Sequence, residues 1–468
     1  MPEAAAGLAG LAGLAGPAAP PPSAPLAPLD RAEAAELVDI AVVGAGVIGL
    51  AIAFRLAHDD AARRIVVIDR EGVAAGASRG NAGAFAFSDI EPLASPGIVR
   101  QAPRWLFDPL GPLALRPAYL PRIAPWLWRF WRASRPQRVA ASTLAQATLN
   151  RLAAEAAPRL LEAVGAASMW HEDGNLHLYE SEAEWRASLP GWQRRAAHGI
   201  AFEHASGPLA REQIAQWQPG VSPAFVAATF VPRWATIADP HVLVERIAAA
   251  AARLGVRLRL GEVTSLAPLR DARAGAAANA APDAAVPLQL AGGTVLRARR
   301  VVVAAGAWSH RLAATIGDRI PLETERGYNT TLPPGAFALR RQLTFPRHGF
   351  VVTPIAGGVR VGGAVELAGL DAPPNYARSD ALLAKASRFL PALRTGGGTR
   401  WMGCRPSLPD SLPAIGSARG DARVVYAFGH GHLGLTQSAA TAELVAALVA
   451  GRAPAIDLAP FDPGRFGP

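Results

Sequence analysis

The sequence predicts an α/β protein of two domains, the first of them Rossmann-like. Three observations predict it. Residues 38–57, "VDIAVVGAGVIGLAIAFRLA", read as a buried strand, a glycine turn and a helix, and "RRIVVIDR" (63–70) is the next buried strand. The strand–turn–helix pattern returns in "RARRVVVAAGAWSHRLAA" (297–314) and in "RVVYAFGHGHLGLTQSAATAELVAALVAG" (423–451). The length, 468 residues, exceeds what one ordinary hydrophobic core serves.

Composition narrows the function. Half of the residues are apolar and 18% are charged, which fits a folded chain rather than a disordered one. The single cysteine, Cys404, can form neither an internal disulfide nor a cysteine-rich zinc site, so a reducing cytoplasmic setting and no metal are expected. The net charge of +10 is almost entirely arginine, since Lys385 is the only lysine. No lysine-rich run or nucleic-acid-reading motif accompanies it, and no nucleic-acid partner is expected. Without a Gly-Lys-Ser/Thr sequence a P-loop is excluded. Schiff-base chemistry would rest on Lys385 alone, inside the ordinary amphipathic pattern "LLAKASRFL".

The elements follow in order. Residues 1–35 open as Ala/Gly/Pro low complexity with no basic residue before Arg31, which reads as a disordered leader rather than a signal peptide. The uncharged run Ile40 to Phe54 is fifteen residues with three glycines, too short to span a membrane. Residues 100–138 are rich in Trp, Pro and Arg, and between Pro92 and Ala154 nine arginines face one acid, Asp108. "GNLHLYE" and "REQIAQWQPGV" continue as strand and helix. "ADPHVLVERIAAAAARLGVRLRL" is a helix capped by Asp239, with Pro240 at its first position, running into a strand. "DARAGAAANAAPDAAVP" reads as a solvated hairpin tip, and "GFVVTPIAGGVRVGGAVEL" as two strands joined near Gly357 and Gly358.

Gly44, Gly46 and Gly49 form G-x-G-x-x-G between the first strand and its helix. The first glycine permits the turn, the second lets a pyrophosphate approach the backbone, and the third lets helix pack on strand. The helix N-terminus offers aligned N–H groups to phosphate charge. Asp69 stands twenty residues past Gly49 at the end of the next strand, where a carboxylate can accept from ribose hydroxyls. The fingerprint does not separate NAD from FAD.

"GCRPSLPDSLPAIG" (403–416) poses a different question. Pro406, Pro409 and Pro413 between two terminal glycines describe a pinned, extended loop. Arg405 in that loop either props up a turn or waits for an anion.

Taken together, "VVGAGVIGLAIAFRLA", the Ser-x-x-Asn-Ala-Gly loop inside "GASRGNAGAF" (76–85), "VVVAAGAWS", "GCRPSLPDSLPAIG" and "GHGHLGLT" resemble the D-amino-acid oxidase superfamily of FAD enzymes. Within it the sequence looks most like the bacterial D-amino-acid dehydrogenases. The resemblance runs from about Val38 to Gly451.

It implies a composite FAD-binding domain of the GR2 type, from residues 36–98, 235–322 and 396–455. Residues 99–234 and 323–395 would form an inserted α+β substrate domain carrying an antiparallel sheet, and 456–468 a C-terminal tail. By resemblance, the segment Gly44, Ala45, Gly46, Val47, Ile48 and Gly49, with Asp69 and Arg70, holds the ADP half of FAD. Ser78, Asn81, Ala82 and Gly83 lie along the pyrophosphate and isoalloxazine; Val263 touches the adenine; Ala305 and Gly306 pass close to the cofactor. Gly431, His432, Leu433, Gly434, Leu435 and Thr436 start a helix whose N–H groups face the flavin pyrimidine, where they would stabilise a reduced anionic ring.

Family members place an arginine just ahead of a proline to clamp the substrate carboxylate, and Arg405 stands there. A guanidinium matches a carboxylate with two parallel bonds, which sets orientation as well as position. Tyr328 sits where the family often has an aromatic hydroxyl near the substrate, and equally reads as a packed core tyrosine. His348 and His432 are candidate substrate or flavin contacts or interior histidines; His430 reads as interior. Cys404 reads as a small buried residue rather than a flavin attachment point.

The expected activity is oxidative deamination of a D-amino acid, with hydride passing from Cα to flavin N5 and electrons leaving to a quinone or the respiratory chain. D-Proline and cis-4-hydroxy-D-proline are candidate substrates. Some relatives that reduce oxygen use a lysine above the flavin, and no flavin motif here contains one. The Trp/Arg stretch at 100–138 either lies on an anionic inner-membrane face or forms ordinary helices with a solvated arginine side. A glycine- or sarcosine-type oxidase releasing hydrogen peroxide is the alternative enzyme, and a flavoprotein that does not turn over is the alternative class.

Overall fold

The computed structural model describes residues 26–95, 111, 113–266 and 285–467. The expected leader up to residue 25, most of the arginine-rich segment before residue 111, and the hairpin tip at 267–284 lie outside the described residues.

Five parallel strands form the heart of one nine-stranded sheet. Their order is Arg257–Leu260, Ile65–Asp69, Leu37–Val43, Val295–Val303 and Val424–Phe428. Residues 40–43 are buried without alternation, as a strand covered on both faces must be. Ile40 and Val42 meet the helices Val47–Asp59, Pro136–Ala163, Pro240–Arg253 and Gly434–Val449. Ala41 and Val43 point to the other side, toward Leu288, Leu312 and Ile320. The antiparallel hairpin of Val286–Leu290 and Val295–Val303 joins that second layer, and Val263–Ser265 pairs with it.

A second nine-stranded sheet runs Thr399–Ser407, Glu323–Leu332, Gly358–Leu367, Phe350–Ile355, Gln342–Phe345, Asn175–Tyr179, Ala227–Val231 and Glu203–Ala205. It is antiparallel as expected, apart from two parallel pairs: Gln342–Phe345 with Asn175–Tyr179, and Leu113–Leu115 with Gly358–Leu367. Leu343, Val352 and Val361 pack under the helix Ala377–Phe389 through Leu382 and Phe389. The other face of its long strands looks onto the parallel sheet.

Three boundaries differ from the sequence reading. The last residues of the supposed leader are folded: Ala27–Pro28 extends the parallel sheet beside Arg259–Leu260, and Glu33 pairs with Arg259. A short apolar run followed by a capped five-residue helix is too weak a local signal to override low complexity around it. The strand Thr399–Ser407 belongs to the antiparallel sheet, so the segment placed in the FAD domain from residue 396 crosses over only after Ser407. Arg405 and Pro406 therefore lie in a strand and not in a loop. Pro406 is tolerated because this strand is at the sheet edge, where a missing donor leaves no gap in the ladder. Finally, the tail is anchored: Phe461 is buried, and Arg465 grips Asp410 (2.7 and 3.1 Å) and the Leu412 carbonyl (2.7 Å). Arg465, not Arg405, pins the proline-rich loop.

Candidate active site

A cavity of about 1070 Å³ opens where the C-terminal ends of the parallel strands meet the antiparallel sheet. Such a crevice is the usual ligand position of an open α/β sheet.

Its floor is the glycine turn. Gly44 has φ +112°, and a Cβ there would lie 2.4 Å from the Ala304 carbonyl oxygen. A Cβ on Gly49 would lie 1.9 Å from the Gly44 oxygen, so helix and turn touch backbone to backbone. Gly46 and Val47 begin the helix, and the Val47 N–H donates to Ser78 Oγ at 2.9 Å. Ser78 is thus held at the electropositive helix end, where a phosphate would lie. Asp69 accepts from the backbone N–H groups of Ala45 (2.8 Å), Glu71 (2.8 Å) and Gly72 (2.9 Å). Its carboxylate organises the turn and still lines the cavity. The Arg70 guanidinium stacks 3.8 Å from the Trp308 ring centre at the same end, where Val263, Ala305 and Gly306 also line the wall.

The loop after Asp69 is braced internally and from above. Asn81 donates to the Ser78 carbonyl (2.9 Å) and accepts from the Gly83 N–H (2.8 Å). From the antiparallel sheet, Asn329 donates to the Gly80 carbonyl (2.6 Å), Arg360 donates to the Asn81 carbonyl, and the Trp401 ring leaves no room for a Cβ on Gly80. Asn81 and Ala82 line the cavity, while Gly83, at φ +67°, makes the turn.

The third wall is the start of the helix Gly434–Val449. Leu433 at its N-cap provides no side-chain acceptor, so the first helical N–H groups remain available to a ligand. Gly431, His432, Gly434 and Leu435 line the cavity, and Thr436 accepts from the Ala86 N–H at 3.0 Å. Beside Gly431, Ser407 Oγ is buried with no partner among the described residues. A deep crevice with a glycine-tight phosphate turn at one end, and free helix donors with an orphaned hydroxyl at the other, fits FAD.

Above this floor stands Arg405. Burial lowers its pKa, the Glu325 charge opposes that fall, and an arginine stays charged throughout. Its guanidinium lies against Gly327 and donates to the Ala364 carbonyl at 3.3 Å. No carboxylate stands within ion-pair distance among the described residues, so a bidentate face is left for a ligand.

His348 is not brought to it, and Tyr328 touches the cavity wall with its hydroxyl engaged elsewhere. Side chains alternate along a strand, so Glu325, Gly327 and Asn329 face the cavity and Tyr328 turns away. Tyr328 is 1% exposed; its hydroxyl donates to Glu366 and accepts from the Asn375 N–H at 3.1 Å. Burial, with Glu366 adding to it, pushes its pKa up to about 12. Glu366 is itself held by Arg326 (3.2 Å) and Arg116 (3.0 Å). Tyr328 is a core tyrosine. His348 lies 2.7 Å from Glu180 and against Phe389, outside the cavity wall. His430 touches the cavity wall but is nearly buried; it sits 3.0 Å from Thr441, and burial pushes its pKa down to about 3. Cys404 is a free thiol whose pKa burial raises.

His432, named from the sequence, lies among wall residues that the sequence reading missed: Asp89, His177, Tyr179, Trp192 and Arg195. His432 Nε2 lies 3.0 Å from Asp89 Oδ2, and Asp89 lies 3.7 Å from Arg195. Both members of the first pair are about one-third exposed, to the cavity, though deep in the molecule. Burial disfavours charge on each, but their mutual attraction prevails: the His432 pKa is raised and the Asp89 pKa lowered. Tyr179, Trp192 and His177 form an aromatic wall, with the Trp192 indole donating to the Tyr179 hydroxyl (2.9 Å). Burial, with Arg195 adding to it, pushes His177 down to about 3. Apart from His432, in "GHGHLGLT", none of these residues lies in a motif, and only "NLHLY", with its polar residue inside an apolar strand, carries a local hint.

Comparison with known proteins agrees with this geometry. A family model described as DAO, FAD dependent oxidoreductase, matches residues 39–448. A D-amino-acid oxidase of Bradyrhizobium diazoefficiens is 34% identical over 440 residues, covering 91% of this chain and 98% of its own. A D-amino acid dehydrogenase of Rhizobium johnstonii is 30% identical, covering 92% and 100%. Among solved structures, L-proline dehydrogenase from P. horikoshii superposes with TM-score 0.68 at 19% identity, covering 92% and 98%. Glycine oxidase from Geobacillus kaustophilus gives TM-score 0.65 at 23% identity with the same coverage. At those identities the structures establish the shared fold.

Proposed function

Since this chain belongs to the DAO family of FAD-dependent oxidoreductases, we propose that it oxidatively deaminates D-amino acids. FAD, when bound, would supply the two-electron acceptor for a hydride leaving the substrate Cα. The chain supplies position. Its glycine turn and Asp69 hold the ADP half, the loop from Ser78 to Gly83 and the helix start at Gly434 hold the remainder, and Arg405 takes the substrate carboxylate. The single observation that carries this reading is a half-buried guanidinium in the cavity wall that closes no ion pair among the described residues. A charge-assisted, bidentate bond there sets the orientation of Cα, the main requirement of a hydride transfer. The wall of Tyr179 and Trp192 receives an apolar side chain and keeps water out. The imino product leaves and hydrolyses in solvent to a 2-oxo acid and ammonia.

The acceptor proposed is a quinone of the respiratory chain, reached from the inner-membrane surface. The helix Leu120–Ala133 supports it: Trp128 (57% exposed) and Trp131 (41%) stack at 4.8 Å among exposed Arg122, Arg129 and Arg132. Cationic and aromatic together, such a face suits an anionic lipid interface. No described helix is long and apolar enough to cross a membrane. Oxygen is the second reading, favoured by the oxidase name of the 34% identical relative.

The test is anaerobic bleaching of the flavin by a panel of D-, L- and cyclic imino acids, D-proline and cis-4-hydroxy-D-proline included. Bleaching by D-amino acids is expected, and none by any amine acid overturns the proposal. Rapid peroxide formation in air would select the oxidase reading.

A further inference from the structure

Glu325 stands directly opposite Arg405 in the antiparallel pairing of Glu323–Leu332 with Thr399–Ser407. It is 5% exposed and lines the cavity. Opposite charges at facing positions on one sheet face ordinarily close an ion pair. Here they do not. The Arg405 guanidinium is drawn along the strand onto Gly327, where a Cβ would lie 2.4 Å from its Nη2, and is held by the Ala364 carbonyl. No hydrogen bond or ion pair closes on the Glu325 carboxylate among the described residues. A nearly buried carboxylate left without a donor is costly unless a ligand supplies one.

We propose that Glu325 receives the substrate's α-ammonium group and removes its proton, so that Arg405 and Glu325 together recognise the zwitterion. This rests on the assignment of Arg405 as the carboxylate clamp. The two residues face each other across the strand pair, line the same cavity and close no ion pair with each other, so a ligand bearing both charges on one carbon can engage both. A bulky ammonium-free acid would satisfy only Arg405; a simple amine would satisfy only Glu325. Fixing both ends leaves rotation about one axis, which the wall of Tyr179 and Trp192 restricts.

The proton step balances. An N–H bond of the ammonium breaks, its electron pair stays on nitrogen as the amine lone pair, and an O–H bond forms on Glu325. Nothing is oxidised or reduced. The lone pair then assists departure of the Cα hydrogen with its electrons, and Glu325 returns its proton to solvent after product leaves. The charged groups facing Glu325 are Arg405 from the partner strand, Glu323 from its own strand and His432 from the turn before the last helix.

Glu325→Gln and Arg405→Leu holoenzymes are compared with wild type for flavin content, melting temperature, D-alanine kinetics against pH, and propionate binding read from the flavin spectrum. With flavin and melting temperature unchanged, Glu325→Gln should raise KM for D-alanine at least about tenfold, the worth of one charge-assisted hydrogen bond. Its kcat/KM should climb with pH across the alkaline range, because only substrate already deprotonated in solution reacts. Glu325→Asp should restore the wild-type profile. Propionate, lacking an ammonium group, should bind Glu325→Gln as well as wild type or better, and should fail to bind Arg405→Leu. If propionate still binds Arg405→Leu, the carboxylate clamp itself is misassigned. If propionate behaves as expected but D-alanine kinetics are unchanged in Glu325→Gln, the clamp stands and the Glu325 proposal is overturned. A defect confined to D-lysine and D-arginine also overturns it, since the carboxylate would then serve a cationic side chain.

Discussion

The Arg405 guanidinium lies against Gly327 of the neighbouring strand, so close that a Cβ at position 327 would sit 2.4 Å from Nη2 and 2.6 Å from Cζ. The flexible end of an arginine can move aside, so Gly327→Ala should fold and bind flavin. It should displace the guanidinium, and a misplacement of about 1 Å costs on the order of 100-fold in rate. The expected outcome is a loss in kcat/KM for D-amino acids with little change in melting temperature, measured by steady-state kinetics and thermal unfolding.

Removing the charge is the stronger change. Arg405→Leu should raise KM for carboxylate substrates by the equivalent of about 2–5 kcal/mol, the loss seen when a buried charge partner is truncated. Flavin content should stay at the wild-type level, because no part of the nucleotide turn depends on Arg405. Kinetics of the purified, flavin-loaded mutant check this.

Gly49→Ala puts a Cβ 1.9 Å from the Gly44 oxygen, and here the obstacle is backbone that cannot yield. The helix Val47–Asp59 must then lift from the turn. Overpacking of this kind costs about 1–3 kcal/mol. The mutant should purify with little or no visible flavin absorbance and a lowered melting temperature.

The His432–Asp89 pair links stability to pH. Asp89 raises the folded pKa of His432 above its ordinary 6.5, so the pair's contribution is complete below 6.5 and is lost as pH rises through the raised value. On the acid side Asp89, lowered from 3.8, retains its contribution above 3.8 and loses it as pH falls through its folded value. Asp89→Asn should therefore lower the melting temperature most between these limits, with the difference from wild type shrinking above pH 6.5. Arg195 and His177 also face Asp89, and Arg405 and Glu325 face His432, so salt should shift the curve only modestly inside this cavity. Thermal unfolding across pH checks the sign.

The exposed Trp128–Trp131 stack gives a membrane prediction. Full-length protein should sediment with vesicles containing anionic lipid, and each arginine at the surface adds about 1 kcal/mol at low salt. The Trp128→Ser, Trp131→Ser double mutant should remain in the supernatant with its flavin spectrum intact. Wild-type protein that ignores anionic vesicles at low salt would remove the membrane route for electrons.

What the sequence determined by itself was local. Gly44, Gly46, Gly49 and Asp69 were legible because their roles follow from φ, from close backbone approach and from position within one strand–turn–helix–strand unit. The strands and helices around the parallel sheet were legible because burial on both faces writes continuous apolar runs. The tertiary structure decided the rest. Sequence spacing does not say which face of a strand a residue occupies, so Tyr328 carries two readings in the sequence while strand alternation commits its hydroxyl to Glu366 and leaves the Glu325 side chain to the cavity. Arg405 and Glu325 are 80 positions apart and meet only through strand register; Asp89 and His432, Asn329 and Gly80, and Arg465 and Asp410 meet only through packing between separated segments. Contacts of that range leave no period in the chain, because the energy that selects them is that of burying two sheets face to face.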